Sequence, residues 1–487
     1  MASNGVKGSA AQTAAAYFDA WRKGDVPRME RLVYQPPRDF AAQHYRLTEN
    51  LHVSSIQLTP GRLKSVGEEA AEVPFAGVRQ LDEFGAWPFD STLRLGVRDR
   101  AWKVLWAPET LHPLLKDGGT LELDEIDVSA TELVTREGDR IPNDSYADSY
   151  LNQLKPELAQ AGHAWELVSK VPGQPVRQLM THQPKANVER TTLSRNVQAA
   201  AARALDAAED STIIAIRPST GEIVALADRL KDNYSAVRDV FPPGSVFKTI
   251  TAAALIKNGL DPAAQVPCPG TYTIPFNRPF DNDGKVDRGL VSFADAYAYS
   301  CNTTFVEQAT TRLTADQLRQ TADEWGFGRP IATGIGGTCG TMPDTDDPNM
   351  FGADAIGQGQ VVTTPLCMAA VAAAVQSGTW RSPRLLSEAQ VRRIDGTPYK
   401  DVPMDGQVVA ALRDMMAAVV DHGTARDMGL PEGVAGKTGT AEVDGGEGSH
   451  AWFIGYRDDL AFCVFVRHGG SGRQAAVPIA ARFLNGL

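Results

Sequence analysis

Cysteine is scarce in this chain: Cys268, Cys301, Cys339, Cys367 and Cys463 are all that 487 residues contain. Five are too few for a disulfide scaffold of this length. None falls in a C-x-x-C pair, which excludes a zinc ribbon and a thioredoxin-type redox motif. They read as mostly reduced, partly buried thiols, and the odd number leaves at least one free in a monomer. The redox compartment stays open. Positive charge is also short, with 48 Lys and Arg against 59 Asp and Glu, a net charge of −11. Phosphate binding needs a basic surface, so nucleic acid is excluded as the main partner, whereas small anionic substrates are not. The eight His show no H-x-x-x-H or H-E-x-x-H spacing, so zinc hydrolysis has no support. No segment reaches the ~20 apolar residues of a membrane helix. The longest candidate, Leu366 to Val375, is Ala-rich and stops at Gln376, as a buried helix would. The start, Met1 to Ala10, lacks the charged and then apolar regions of a signal peptide. The chain is therefore either cytoplasmic or what remains after a targeting segment has been removed.

What the chain has is ample material for cores: 43% of its residues are hydrophobic and 22% charged. That excludes general disorder, and the length suggests about three domains. Residues 1–115 read as a small α+β domain. Tyr17, Phe18 and Trp21 share one face of a helix that Gly24 ends, and Asp25 is placed to cap a second helix carrying Met29, Leu32 and Val33. Leu93, Leu95 and Val97 alternate with polar residues. After a turn at Asp99-Arg100, Trp102, Val104 and Trp106 alternate again, which is a hairpin with one buried face. No cluster of titratable residues stands out there, so the domain reads as a spacer or docking module.

Residues 116–190 are polar and irregular, with apolar patches at Leu121, Leu123 and Ile126, and Gln174-Pro175 and Gln183-Pro184 punctuate their end. They read as a linker or small pedestal. From 191 to 487 the texture changes. A helix over Arg195 to Leu205 precedes β runs at Ile213 to Ile216 and Ile223 to Leu226; near the other end Ala451 to Tyr456 and Ala461 to Val466 flank Arg457-Asp458-Asp459. Strands at both ends of a domain with a helical middle suggest one antiparallel sheet closed by the two ends and covered by helices.

Three short motifs lie in this last region. Ser245-Val246-Phe247-Lys248 follows Phe241-Pro242-Pro243-Gly244, which blocks a helix upstream, while the apolar run to Ile256 builds one downstream. Ser245 is thus placed at a helix N-terminus and Lys248 one turn on, on the same face. A lysine with a lowered pKa can take the proton that makes a serine hydroxyl nucleophilic. Ser300-Cys301-Asn302 offers a hydroxyl and an amide two residues apart, able to relay a proton and hold a substrate amide. Lys437-Thr438-Gly439-Thr440 precedes the Ala451 strand as a candidate edge strand. Lys437 and the hydroxyls of Thr438 and Thr440 suit a carboxylate, and Gly439 allows another molecule's backbone to approach.

Taken singly each motif is weak. Together, in this order, S-x-x-K, S-x-N and K-T-G resemble the serine penicillin-recognising enzymes, that is, penicillin-binding proteins and serine β-lactamases. The resemblance covers about residues 190–487 and extends to Val188–Leu205, Ile213–Leu226, Gly357-Gln358-Gly359 before Thr364-Pro365-Leu366, and Gly436–Glu442, which look like landmarks of a transpeptidase domain. Ala14–Val33 and Trp102–Trp106 leading into Leu111-His112-Pro113 look like the NTF2-like domain that precedes the transpeptidase in one class B subgroup. Arg136-Glu137-Gly138-Asp139-Arg140 only loosely echoes the pedestal motif of larger class B members.

The resemblance implies an α+β multidomain chain that acts as a D,D-transpeptidase on peptidoglycan stem peptides and is acylated by β-lactams. It implies that Ser245 is the nucleophile and Lys248 its proton acceptor. Ser300, with Lys437 beside it, passes a proton to the leaving amine, and Asn302 holds the substrate amide. Thr438, Gly439 and Thr440 bind the carboxylate and, with the backbone of Ser245, the oxyanion. It implies no metal or organic cofactor. It places the protein on the extracytoplasmic face of the bacterial membrane, through an anchor absent here, with a glycosyltransferase as a partner left in doubt by the short middle region. Two other readings share the motifs: a D,D-carboxypeptidase or β-lactamase, although the E-x-x-L-N pattern of class A lactamases is missing between Asn302 and Lys437, and a non-catalytic β-lactam sensor or scaffold. Gly334–Gly340 breaks the G-x-G-x-x-G spacing and Asp344–Asn349 misses the residues of a calcium loop, so both read as loops. His422 and His450 border the last motif or are satisfied structural histidines.

Overall fold

A computed structural model describes residues 6–82, 84–128, 131–159, 162–182, 187–231, 235–443 and 448–487. The first five residues and Gln183-Pro184 lie outside the described residues. The chain divides into two compact units, Met1–Ala130 with Gln160–Ala186, and Thr131–Ala159 with Asn187–Leu487. Among the described residues no helix is long and apolar enough to cross a membrane.

The smaller unit opens as its apolar spacing dictates. Helix Ala10–Arg22 buries Tyr17, Phe18 and Trp21, and Gly24, at φ +68°, ends it in the left-handed region open to glycine. The Asp25 carboxylate accepts the Arg28 backbone N–H at 3.0 Å and starts helix Val26–Leu32. After helix Phe40–Asn50, strands Val53–Pro60, Ala70–Leu81, Gly85–Arg98 and Ala101–Val104 pair antiparallel in that order. Asp99 and Arg100 form the expected tight turn, both with positive φ. Phe75, inward on the second of these strands, meets Phe18 and Trp21 edge-on at 5.1 and 5.7 Å between centroids.

The stretch expected to be irregular is not. Thr120–Val128, Gly162–Lys170 and Arg177–His182 form a three-stranded antiparallel sheet in the smaller unit. Thr131–Val134 pairs in parallel with Asn187–Arg190 in the larger one, which also holds helix Asp148–Leu158. The strands were masked by their outward residues: Leu121 is buried, but Glu122 and Asp124 alternate with it and both bind Lys170, at 2.6 and 3.3 Å. In the Arg136–Arg140 turn, Glu137 accepts hydrogen bonds from Ser194 Oγ and the Arg195 backbone N–H, capping helix Arg195–Leu205.

In the larger unit the two ends of the region do close one sheet. Its order is Glu222–Asp228, Ser211–Arg217, Leu460–Val466, His450–Arg457, Ala435–Ala441, antiparallel throughout. The central strands are buried at nearly every position, so helices must cover both faces. Arg195–Leu205 and Val477–Asn485 pack together against the sheet; Pro365–Ser377, buried from Pro365 to Val375, packs against Leu460–Val466 and Ser211–Arg217. Helix Gly406–Asp421 packs beside it and against the edge strand Ala435–Ala441, and helix Lys248–Lys257 packs on Gly406–Asp421.

The cysteines differ from the reading of mostly reduced thiols. Cys268 pairs with Cys301 and Cys339 with Cys367, leaving Cys463 free and buried in the sheet. Spacing carries no information on such pairing, because connectivity depends on a fold not yet known. Each bridge closes a loop of about 30 residues, 33 and 28 apart in sequence. Constraining the unfolded chain that way contributes about 3–4 kcal/mol per bridge. Replacing Cys339 and Cys367 by Ser should therefore lower the urea midpoint of the larger unit by that equivalent, and an unchanged midpoint would refute the pairing.

Candidate active site

The three motifs, 50 to 190 residues apart in sequence, meet at one point of the larger unit. Pro242 and Pro243 prevent an earlier helix start, and Gly244–Phe247 forms a single 3-10 turn that runs into helix Lys248–Lys257. Ser245 is half-buried on that turn, and Lys248 is the first residue of the α-helix proper, fully buried. Lys248 Nζ lies 3.1 Å from Ser245 Oγ, so the spacing of three does what its helical geometry predicts.

Ser300 follows helix Phe293–Ala298 and has φ +61°, unusual for a residue with a side chain. The strain is held by backbone bonds from Ser300 N to Tyr297 O and from Cys301 N to Ala296 O, and by the Cys268–Cys301 bridge. This conformation turns both the carbonyl and the hydroxyl of Ser300 to Lys248 Nζ, at 2.8 and 3.1 Å. Asn302 begins helix Asn302–Arg312; its Oδ1 accepts from Lys248 at 2.6 Å and its Nδ2 donates to Asp281 O at 2.9 Å. On the other side Lys437, also fully buried, donates to Ser300 Oγ at 3.0 Å and to Thr438 O at 3.0 Å. One hydroxyl therefore links two lysines, one of which reaches Ser245.

Burial sets the charge of this pair. Lys248 is driven well below the usual lysine range by desolvation and then by the positive charge of Lys437. Lys437 is brought down to about 7 by burial. Two ammonium groups on one hydroxyl in a dry pocket resist being charged together, so Lys248 gives up its proton first and Lys437 keeps its own longer.

Glycines bring the elements this close. Gly244 has φ +53°, and a Cβ there would lie 2.3 Å from Thr440 O; one on Gly357 would lie 2.0 Å from Gly244 O. At Gly439 the space of a side chain is taken by Val246, Pro243 and Trp452. The close approach that Gly439 permits is thus to the chain's own Ser245 turn. Gln358 Nε2 holds Thr440 O at 3.1 Å, which gives the Gly357-Gln358-Gly359 motif its place at the site.

Sequence reasoning missed Thr424, whose Oγ1 is 2.6 Å from Thr438 Oγ1, and Arg473, which donates to Thr424 O at 2.7 Å. Thr424 past a helix end and Arg473 in the turn before another helix are lone polar residues that carry no spacing signal. His422 lies nearby, with Nε2 2.8 Å from Asp295 Oδ1; that hydrogen bond chiefly raises its pKa. His450 accepts the His468 backbone N–H at 3.2 Å and is pushed down to about 4 by burial, so it is a satisfied core histidine. Asp347, from the rejected calcium loop, caps helix Pro348–Ala355.

Residues 211–485 match the penicillin binding protein transpeptidase domain, and residues 9–119 the NTF2-like N-terminal transpeptidase domain. The peptidoglycan D,D-transpeptidase PbpA of Mycolicibacterium smegmatis is 30% identical over 353 residues, 61% of this chain and 71% of that one. PbpA of Mycobacterium tuberculosis is 30% identical over 325 residues, 55% of this chain and 65% of its own length. Penicillin-binding protein A from M. tuberculosis, solved as a ceftriaxone acyl-enzyme complex, superimposes with a TM-score of 0.56 at 26% identity, covering 62% of this chain and 80% of that chain.

The lysine pair is directly observable. Side-chain NMR of the protein labelled with 15N at lysine Nζ should show two lysines losing their proton far below the others, that of Lys437 near pH 7. Two titrations in the ordinary range near 10 would overturn the charge assignment.

Proposed function

The chain belongs to the penicillin-binding protein transpeptidase family, and from that premise we propose that it cross-links peptidoglycan stem peptides as a D,D-transpeptidase through an acyl-enzyme on Ser245. The observation that carries the assignment of roles is the buried Lys248 Nζ at 3.1 Å from Ser245 Oγ, with Lys437 beyond Ser300.

Ser245 Oγ attacks the carbonyl carbon of the penultimate D-Ala, and its proton passes to the neutral Nζ of Lys248. The negative oxygen of the tetrahedral intermediate is taken by the backbone N–H groups of Ser245 and Thr440, each such donor typically contributing ~3 kcal/mol. The C–N bond then breaks. The departing amine of the terminal D-Ala takes the Ser300 hydroxyl proton, which the adjoining lysines replace. Lys437, Thr438 and Thr440 hold the substrate carboxylate, and Thr424 fixes the Thr438 hydroxyl through their 2.6 Å contact. Asn302 orients the stem-peptide amide. An amine of a second stem peptide attacks the ester, the Ser245 C–O bond breaks, and Ser245 recovers its proton. A β-lactam follows the same first step, but its leaving amine stays tethered. Neither a metal nor an organic cofactor enters any step.

Cell-wall cross-linking takes place outside the cytoplasm, so the reading includes an extracytoplasmic location. The two disulfides support an oxidising compartment. A glycosyltransferase that supplies the strands to be cross-linked is the partner this chemistry calls for.

Incubated with benzylpenicillin, the intact protein should gain the whole mass of the antibiotic and keep it for hours, and Ser245→Ala should gain nothing. Rapid antibiotic hydrolysis without an adduct would move the reading to a β-lactamase; a stable adduct without product from stem peptides would make the protein a sensor. Lys248→Ala should slow acylation at least a thousandfold.

The acylation rate should fall as pH is lowered, because protonating Lys248 removes the acceptor of the Ser245 proton. Lys437→Met removes a positive charge that lowers the Lys248 pKa, so the residual acid limb should move to higher pH. A limb that stays in place would exclude the coupling.

A further inference from the structure

The smaller unit contains a cavity of about 320 Å³ that none of the chemistry above uses. Its walls are apolar where Trp21, Met29, Leu47 and Leu111 line it, and they also include Arg79 and His44. Arg79 is an anomaly of its strand. Along Ala70–Leu81 the inward positions are Ala71, Val73, Phe75, Gly77, Arg79 and Leu81, so a guanidinium stands where the alternation calls for an apolar side chain.

Only 3% of Arg79 is exposed. Its Nη2 donates to Leu111 O at 2.8 Å, and its guanidinium carbon lies 4.0 Å from the centre of the Phe89 ring. Its Nη1 is buried with no hydrogen-bond partner, and so is Nε2 of His44, itself 7% exposed. Among the described residues no carboxylate pairs with Arg79. Burial lowers its pKa only to about 9, so it stays charged near neutrality. Burial and then the Arg79 charge bring His44 down to about 4, leaving a neutral imidazole. Neither Asp nor Glu lines the cavity, whereas Arg22 and Lys23 do.

A buried cation with no carboxylate partner is costly, and stability alone would favour an apolar residue there. We propose that this cavity binds a small monocarboxylate with an apolar body, its carboxylate held by Arg79 and His44 and its body against Trp21 and Met29. One guanidinium matches one carboxylate in charge and fork geometry. The volume and the apolar walls call for a ligand well beyond an inorganic ion, at the small end of ligand pockets. The inference is independent of the reaction at Ser245.

The test uses the full chain with Ser245→Ala, so that the transpeptidase site forms no adduct, and 3-phenylpropionate as the probe. Titration calorimetry should give saturable binding at one site, and at least tenfold weaker binding of the uncharged 3-phenylpropanol. With 5-fluorotryptophan incorporated, the resonance lost in Trp21→Phe should be one that shifts on saturation. Arg79→Met should weaken the carboxylate at least tenfold and leave the alcohol unchanged, while Arg79→Lys should keep part of the preference. If Arg79→Met does not fold, the acid-against-alcohol comparison and the Trp21 resonance decide. Equal affinity for acid and alcohol, no saturable binding, or a Trp21 resonance that stays in place would each overturn the proposal.

Discussion

Two fully buried lysine side chains share one serine hydroxyl, and the architecture of the larger unit follows from the need to hold them there. Lys248 and Lys437 each approach Ser300 Oγ to about 3 Å. In water such a pair would separate and both ammonium groups would be hydrated. Here one is fixed by a buried helix and the other by a buried strand, so the repulsion is relieved by proton loss instead of by motion. A base of ordinary lysine strength would be fully charged at neutrality and useless to Ser245. The desolvation that is costly to stability is the same property that suits Lys248 to the proposed role of proton acceptor.

Holding that geometry takes rigid parts of different kinds. The Lys248 helix is enclosed along its length, with residues 248–255 all buried and Thr249 and Thr251 tied to Tyr297 and Ala355. The Ser300 loop is kept in a conformation unfavourable for serine by backbone bonds and a disulfide at the neighbouring residue. The edge strand with Lys437 is pressed onto the Ser245 turn through Gly439, where the Val246 side chain fills the space of a Cβ. Each part restricts a different motif, and none of the three motifs positions itself.

Much of this was legible in the sequence, for identifiable reasons. S-x-x-K works through helical spacing, which is local, and the Pro-Pro-Gly before it marks where the turn begins. The Asp25 cap, the Asp99-Arg100 turn and the closing of the sheet by both ends of the region are likewise local signals or follow from strand placement. What was not legible depends on partners distant in sequence. Cys268 and Cys301 are bridged because the short strand Gln265–Cys268 ends beside the Ser300 loop. Thr424 matters because the end of a helix meets Thr438. The strands of 120–182 were hidden because charged residues such as Glu122, Asp124 and Glu166 stand between their apolar positions. Arg79 was overlooked because an arginine in a strand reads as outward until the register is known.

The order of strands in the larger sheet has a temporal side. Ser211–Arg217 pairs with Leu460–Val466, so the middle of the sheet joins segments about 250 residues apart. Contacts of such separation form late, after the cost of closing the intervening chain has been met. The strand bearing Lys437 joins the sheet only through the hairpin that follows it. The second lysine therefore reaches the site only with the strands His450–Arg457 and Leu460–Val466 that carry its own strand into the sheet. Until that hairpin is in place Lys248 lacks its neighbour, so the lysine pair exists only once the far end of the sheet has formed.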